Sequence, residues 1–274
     1  MKKIKIVGLF FLAAVLSLRV SAQDNNKEQL TVPLSDASKP YRLNVGLVDG
    51  SISISVYDGK DIMIDAEGDG KKTKSESSDN SGGMRKLSSH GLSVIAEEKN
   101  NRVSVHSEKP NTTIHLYIKV PKGAESIKLE TVNNGDIVVN GVNGEMEITN
   151  VNGSIQLSGV SGSVVANTVN GDVVASFKSV DTQAPMAFST LNGNVDVSFP
   201  ATIKAAVKLK SDNGGIYTDF EIAVDRKQPV NERSSEGTMY KISVSDWVYG
   251  KIAGGGPEIL MKNMNGNIYI RKAK

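Results

Sequence analysis

The side chains that could carry acid–base, nucleophilic or metal chemistry are few and scattered in this sequence. The three histidines are His90, His106 and His115, and cysteine is absent. Structural and catalytic zinc sites use Cys and His ligands at short paired spacings, and no such pairing occurs here. Serines are abundant, but none lies in the G-x-S-x-G turn that presents a nucleophilic serine. The sequence therefore predicts no catalytic residues, no metal site and no bound cofactor.

Two neighbouring carboxylates, Glu145 and Glu147 in VNGEMEITN, raise the question of glycoside cleavage. That reaction needs two carboxyl groups placed across a groove. Glu145 and Glu147 alternate along one predicted strand, so both face outward from the same surface. We expect a solvated strand face and a protein that is not an enzyme. A carbohydrate-active enzyme remains the alternative, because stacked β-folds often host that chemistry.

Aromatic residues near the C-terminus are better candidates for function, through binding. Tyr217 and Tyr269 occupy the same outward position of two similar segments, and Trp247 and Tyr249 lie between them in SDWVYGK. Exposed aromatic rings offer flat apolar faces suited to sugar rings or protein partners. These four residues are the predicted ligand-binding candidates. The alternative for Trp247 is that it caps the last layer of the fold.

The elements that would position these residues follow from a repeat. Five contiguous nine-residue units run through residues 133–177: NNGDIVVNG, VNGEMEITN, VNGSIQLSG, VSGSVVANT and VNGDVVASF. Related units return as LNGNVDVSF, DNGGIYTDF and MNGNIYIRK, and a weaker pair, VDGSISISV and YDGKDIMID, lies upstream. Asn-Gly favours tight turns, and the alternation of apolar and polar residues is typical of strands with one buried face.

Each unit is thus predicted to be a turn followed by a short strand, in an all-β fold with N-terminal strands before the repeats. We favour a β-solenoid in which two units make one 18-residue coil, because repeats of fixed period are typical of stacked architectures. Gly153 and Gly171 then occupy equivalent corners, and Gln156 lies beside Val174. Ladders of Asn143, Asn152 and Asn170 would line the turns. An antiparallel meander, with Asn-Gly closing hairpins, is the alternative.

Calcium binding is not expected from these units. Nonapeptide β-rolls that bind Ca²⁺ supply Gly and Asp ligands in every repeat. Here Asp appears in the regular units only at Asp136 and Asp172.

The first 22 residues have the layout of a secretory signal peptide. They begin with Lys2, Lys3 and Lys5, continue with an apolar run and end in Val20-Ser21-Ala22. With Arg19, this segment holds four of the 32 Lys and Arg residues, so residues 23–274 carry 32 − 4 = 28 basic and 30 acidic side chains. A net charge of −2 does not suggest nucleic-acid binding, which needs a concentrated basic face. Membrane contact is expected only through the signal peptide.

Residues 23–274 are predicted to form a single all-β repeat domain, with regular core repeats at 133–177 and insertions near 66–91 and 225–256. The stretches 66–91 and 225–238 are polar and glycine- or serine-rich, which is typical of exposed loops.

IHLYIKVPKGAESIKLE, the chained N-G-[DS]-[IV] units and the terminal GGGPEILMKNMNGNIYI resemble the bacterial "putative adhesin" family of β-strand-repeat proteins, a domain of unknown function. The likeness covers about residues 40–274. The resemblance implies an exported solenoid in the periplasm, on the outer surface or secreted, that binds a glycan or an envelope or surface protein without catalysis. An envelope-stress or assembly accessory protein is the alternative function. The ligand, the mode of attachment to the cell and the oligomeric state do not follow from the sequence.

Overall fold

A computed structural model describes residues 26–69, 91–225, 231–236, 239–244 and 247–273. These residues form strands and turns and no helix, so the predicted all-β class is confirmed. No helix in this part of the chain is long and apolar enough to cross a membrane. The predicted signal peptide, residues 1–22, lies outside the described residues.

The strands, in chain order, are β1 (Lys27–Val32), β2 (Tyr41–Asp49), β3 (Ile52–Val56), β4 (Ile62–Gly68), β5 (Val94–Lys99), β6 (Arg102–Ser107), β7 (Ile114–Val120), β8 (Ala124–Asn133), β9 (Ile137–Asn140), β10 (Asn143–Asn150), β11 (Ile155–Asn170), β12 (Val173–Val180), β13 (Met186–Asn192), β14 (Val195–Phe199), β15 (Ala205–Asn213), β16 (Ile216–Thr218), β17 (Ile222–Val224), β18 (Asn231–Glu236), β19 (Met239–Val244), β20 (Val248–Ile252), β21 (Glu258–Asn265) and β22 (Ile268–Lys272). All except β18 and β19 belong to one 20-stranded sheet, and those two form a separate antiparallel pair.

The large sheet folds into two faces around one core. The face that we call the front sheet has the spatial order β5-β6-β2-β8-β10-β11-β13-β21-β15-β20-β17, using the second half of β11. The back sheet has the order β1-β4-β7-β3-β9-β11-β12-β14-β22-β16, using the first half of β11. Because apolar residues alternate inward on both sheets, their buried side chains form a single hydrophobic cluster.

Within the regular repeats, successive coils stack in parallel with an offset of 18 residues. Glu145 pairs with Ser163 on the front sheet, and Gln156 pairs with Val174 on the back sheet. Gln156 and Val174 therefore lie on adjacent strands, as the coil prediction required, and the antiparallel meander is wrong for this region. Parallel stacking places chemically similar residues of successive coils beside each other.

The nine-residue unit is not itself a unit of the structure. β11 runs through 16 residues without a break and serves both sheets, so two predicted strands are one. The YDGKDIMID segment is also not a coil, because β4 pairs antiparallel with β1 and β7. Beyond β12 the parallel offset widens, since Val173 pairs with Val195.

The coils are also out of chain order at both ends of the stack. The C-terminal coil, β21–β22, lies between β13–β14 and β15–β16, although β15–β16 precedes it in the chain. In the same way β6–β7 lies outside β2–β3. The sequence repeat does not specify this order, because any parallel strand with the same corner fits the same gap.

Asparagines, glycines and hydroxyl side chains line one edge of the stack, where the chain passes from the front to the back sheet. At this Asn-Gly edge the asparagine amides form a continuous hydrogen-bonded ladder through Asn133, Asn152, Asn170, Asn192, Asn265 and Asn213. Beneath it, Thr131, Asn150, Thr168, Thr190, Asn263 and Ser211 each donate to a glycine carbonyl of a neighbouring coil. The predicted ladder is therefore present at Asn152 and Asn170.

The prediction that Asn143 belongs to the same ladder is wrong. Asn143 begins β10 and pairs with Ser161 at the opposite edge, where the chain returns from the back to the front sheet. Consecutive nine-residue units alternate between the two edges, so only every second Asn-Gly lies on the ladder. We call the opposite side the return edge.

The two predicted insertions are only partly loops. Ala66–Gly68 belongs to β4, while residues 70–90 lie outside the described part of the chain. Of the segment 225–256, residues 231–236 and 239–244 form the β18–β19 hairpin, and β20 pairs antiparallel with β15 and β17. Residues 226–230, 237–238 and 245–246 lie outside the described residues.

Candidate functional site

The four aromatic residues singled out in the sequence form two separate pairs on different sheets. Tyr217 and Tyr269 lie on β16 and β22 of the back sheet. Trp247 lies just before β20 of the front sheet, and Tyr249 lies on β20. The structure therefore brings the candidates together two by two and not as one site.

Tyr217 and Tyr269 are directly paired across parallel strands, so their shared outward position is confirmed. Their rings are stacked with centroids 5.2 Å apart and planes inclined by 17°. Tyr217 is 54 % exposed, and its strand β16 has β22 as its only strand neighbour within the described sheet. One ring face is thus covered by Tyr269, and the other is directed toward the end of the stack.

Arg271 and Asp196, which the sequence reasoning missed, complete this surface. The Arg271 guanidinium donates to both Asp196 carboxylate oxygens, Nε to Oδ1 at 2.7 Å and Nη2 to Oδ2 at 2.9 Å. It also lies 4.8 Å from the Tyr269 ring centroid, within the range of a cation–π contact. The hydrogen bonds that Arg271 donates to the Asp196 carboxylate raise the pKa of Arg271 above its ordinary value. We call Tyr217, Tyr269, Arg271 and Asp196 the tyrosine platform.

A sequence signal for Arg271 existed. It stands two residues after Tyr269 in NIYIRK, and residues two apart on a strand share a face. Asp196 lies on β14 in another coil, and it is a neighbour of Arg271 because β22 pairs with β14. Because the C-terminal coil lies out of chain order, no local pattern could have shown that contact.

The second aromatic pair lies over lysines of β15. The Lys208 ammonium is 4.8 Å from the Trp247 ring centroid and 5.9 Å from that of Tyr249, and Lys210 is 6.0 Å from Trp247. Trp247 is partly exposed on the outer surface of the front sheet. Trp247 lies beside β15 at the end of the front sheet, so a capping role for it stays a prediction, and Phe220 is a buried ring at the same end.

A serine, a histidine and an aspartate do come together, at the corner between β2 and β3. Ser51 Oγ is 2.7 Å from His115 Nδ1, and His115 Nε2 is 3.1 Å from Asp69 Oδ1. A serine hydrolase also needs backbone N–H groups free to stabilise an oxyanion. Here Gly50 and Ile52 donate their N–H groups to Asn133 and Asp136 carbonyls. Ser51 occupies the corner position of Ser154 and Asp172, whose side chains accept hydrogen bonds from backbone N–H groups of the next coil. The corner position therefore has a structural role in other coils.

The paired carboxylates Glu145 and Glu147 lie on the outer surface of the front sheet. Glu147 is 3.1 Å from the Lys128 ammonium, which also contacts Glu130 at 3.0 Å. No group of three or more metal-ligating side chains is found among the described residues. His106 is exposed on β6, and His90 lies outside the described part of the chain.

Comparisons with known proteins identify the family of the chain. No curated protein matches the chain. Among solved structures, it is similar to "a putative cell adhesion protein" from Clostridium sporogenes, at 14 % identity over 90 % of this chain and 99 % of that one, with a TM-score of 0.44. It is also similar to "a putative adhesin" from Bacteroides fragilis, at 10 % identity over 90 % and 97 % of the two chains, with a TM-score of 0.28. The model of the Toastrack DUF4097 family matches residues 10–271. Since this match spans nearly the whole sequence, the chain belongs to the Toastrack DUF4097 family.

Proposed function

We propose that this chain is an exported protein of the cell envelope or surface that binds carbohydrate through the tyrosine platform, without turnover. The observation that carries the proposal is the stacked pair of exposed tyrosines, held beside an arginine that is already ion-paired. Aromatic faces provide large apolar contact at a low cost in side-chain entropy. Export rests on the secretory layout of residues 1–22.

The platform is preorganised by its surroundings. Tyr269 stacks on Tyr217, Arg271 lies over Tyr269, and Asn267 Nδ2 donates to the Tyr269 hydroxyl at 3.1 Å. Residues on paired strands move little relative to one another, so a ligand would not need to order these side chains on binding.

The charge of the platform selects between ligand classes. Asp196 neutralises Arg271 through two hydrogen bonds, so the platform has no net charge. An acidic sugar would have to compete with Asp196 for the guanidinium. We therefore propose a neutral glycan whose ring lies on the tyrosines and whose hydroxyls meet Arg271 and Asp196.

A glycan array with the purified protein tests this function. We expect saturable binding to neutral glycans without release of products, and we expect Tyr217→Ala to weaken it roughly tenfold or more, in line with the truncation of an aromatic anchor. Tyr117→Ala is the matched control, because Tyr117 is 46 % exposed on the same back sheet at the far end of the stack. Release of cleaved sugar would instead indicate the enzyme. Equal losses in both variants would rule out the platform as the site.

If no glycan on the array binds and crosslinking in cells recovers one envelope protein, the alternative function as an envelope-stress or assembly accessory protein would be favoured. Tyr217→Ala and Tyr117→Ala should then be compared for that crosslink, because the same platform could contact a protein chain. A crosslink unchanged in both variants would remove the platform from the function altogether.

A further inference from the structure

One row of outward residues on the front sheet has an unusual order of charge and size. Read across neighbouring strands, it contains Lys128, Glu147, Val165, Ala187, Leu260, Lys208 and Tyr249. The centre of the row is apolar and its smallest residue, Ala187, lies in the middle. An acidic residue stands on one side of the apolar stretch and a basic residue on the other.

A second outward row, beside the asparagine ladder, is aliphatic over many consecutive coils. It contains Val48 (47 % exposed), Val132 (41 %), Val169 (37 %), Leu191 (41 %) and Met264 (43 %). Each of these residues directly precedes the Asp or Asn at the Asn-Gly edge, and the row ends at β15, where Asp212 precedes Asn213. Between the two rows lie Asn167, Ser189 and the exposed Lys262.

The outer surface of the front sheet is therefore divided. The strands β11, β13 and β21 carry Val165, Ala187 and Leu260 in the first row and Val169, Leu191 and Met264 in the second. The flank on β8 and β10 carries Glu130, Glu145 and Glu147 with Lys128, and the flank on β15 and β21 carries Lys208, Lys210 and Lys262. Two apolar rows separated by a polar row, between flanks of opposite charge, form a surface suited to a protein partner.

We propose that this surface binds a second copy of the chain, face to face, with the two coil stacks running in opposite directions. The two-fold axis then lies parallel to the strands and passes between the two Ala187 side chains. By symmetry, Glu147 of one copy meets Lys208 of the other, and Val165 meets Leu260. Lys128 meets the ring of Tyr249 in the same way. This pairing is independent of the carbohydrate site, which lies on the back sheet.

The charge order selects this arrangement over the alternative. If the stacks ran in the same direction, Glu147 would face Glu147 and Lys208 would face Lys208, and like charges brought together oppose association. Ala187 at the axis permits close approach of the two sheets, which pack about 10 Å apart in β-sandwiches.

The size of the surface matches a modest but specific dimer. The row from Lys128 to Tyr249 spans six strand spacings, about 29 Å. The three outward rows, at two residues each, occupy about 20 Å along the strands. The footprint is on the order of 600 Å² per copy, or about 1,200 Å² in total, the lower end of specific interfaces. The dimer should therefore dissociate on dilution.

Sedimentation equilibrium of the protein purified after export tests this proposal with two matched variants. Val165 and Val174 are 38 % and 39 % exposed, and they point outward from the front and back sheets respectively. We expect a concentration-dependent dimer for the wild type and for Val174→Arg. Val165→Arg should weaken it roughly tenfold or more, because two arginines would enter the apolar centre. A wild type that stays monomeric up to its solubility limit, or equal effects of both variants, would overturn the proposal.

A charge swap tests the predicted direction of the stacks. Glu147→Lys and Lys208→Glu should each weaken the dimer, since each places like charges opposite each other. The double variant should restore the dimer constant to within roughly threefold of the wild type, because opposite charges then meet again. Each substitution also removes a contact within the monomer, from Glu147 to Lys128 or from Lys208 to Trp247. If the single variants weaken the dimer only through loss of these contacts within the monomer, the two losses add in the double variant. Such additive weakening would refute the antiparallel arrangement.

Discussion

The two long edges of the coil stack are built in opposite ways. At the Asn-Gly edge, corner follows corner with the same side chains and the same hydrogen bonds across the coils. At the return edge the connections differ from coil to coil, from the unbroken strand β11 to the segment Pro121–Gly123 and the longer links at 181–185 and 200–204.

The difference follows from how closely the backbones approach. An added Cβ at Gly171 would lie 2.3 Å from the Gly153 carbonyl oxygen, and one at Gly193 would lie 2.1 Å from that of Gly171. The return edge varies: added Cβ atoms at Gly123 and Gly141 meet nothing within 4 Å, whereas one at Gly162 would lie 2.3 Å from the Gly144 carbonyl oxygen. Close approach therefore recurs from coil to coil at the Asn-Gly edge, while the return edge has it in some coils and open connections in others.

The largest expected effect is Gly171→Ala compared with Gly141→Ala. Both glycines have positive φ, +148° and +71°, so both variants incur backbone strain of about 1–2 kcal/mol. Only Gly171 also meets a backbone carbonyl, and overpacking of that kind adds roughly 1–3 kcal/mol. Urea unfolding followed by circular dichroism should show a clearly larger loss for Gly171→Ala. Equal losses of stability would mean that the destabilisation comes from the positive φ alone and not from the close contact between stacked coils.

Asn170→Ala tests the ladder itself. The Asn170 amide donates to Asn152 at 2.9 Å and accepts from Asn192 at 2.8 Å. Loss of both should lower the free energy of unfolding by about 1–2 kcal/mol. Asn140→Ala at the return edge is the comparison, and we expect a change within about 0.5 kcal/mol for an exposed residue. If both variants unfold at the same urea concentration, the ladder contributes no stability.

Asn150→Thr should raise stability. The Asn150 side chain is buried and its Nδ2 donates to Gly135 O, but its Oδ1 has no partner among the described residues. Thr131 and Thr168 make the equivalent hydrogen bond in the adjacent coils without a second acceptor. Removing a buried unsatisfied carbonyl should stabilise the fold by about 1 kcal/mol. The reverse change, Thr168→Asn, should destabilise it, and a gain in both would contradict the explanation.

The smallest expected effect is a pH dependence confined to the β1–β2 connection, which leads into β2 at the return edge. Hydrogen bonds from Ser38 and Lys39 lower the pKa of Asp36 to about 2 from its ordinary 3.8. Because the folded pKa is the lower one, the contribution of Asp36 is complete above pH 3.8 and is lost as the pH falls toward 2. Carboxyl NMR titration should give that low midpoint, whereas the asparagine ladder has no titrating group. An Asp36 midpoint near 3.8 would show that these contacts do not persist in solution.

The sequence was sufficient for the regular edge and insufficient for the arrangement of the ends. The prediction of equivalent corners is confirmed at Asn152, Gly153 and Gly171. It succeeded because a tight corner and a strand each depend on residues that are close in the sequence. The position of β21–β22 was not predictable, since Asn265 fits the ladder between Asn192 and Asn213 as well as it would fit after Asn213.

In the candidate site, too, the features that depend on local sequence were predictable and those that depend on the order of the coils were not. Tyr217 and Tyr269 were found because each occupies the same place in its unit, and the sheet register pairs them. Asp196 was missed because its contact with Arg271 depends on the order of the coils. The surroundings of Trp247 were not predictable, because it lies just before the antiparallel strand β20, which the repeat does not describe.

The interposed C-terminal coil has a consequence for synthesis, during which the N-terminal strands emerge first. Until residues 258–272 have emerged, β13 and β14 lack their outer neighbours, and the parallel side of β15 has nothing to pair with. A chain truncated before Glu258 would lose a layer from inside the stack, not from its end. The stack of coils is therefore complete only after β21 and β22 have been synthesised, and the strands made before them must wait with unpaired edges.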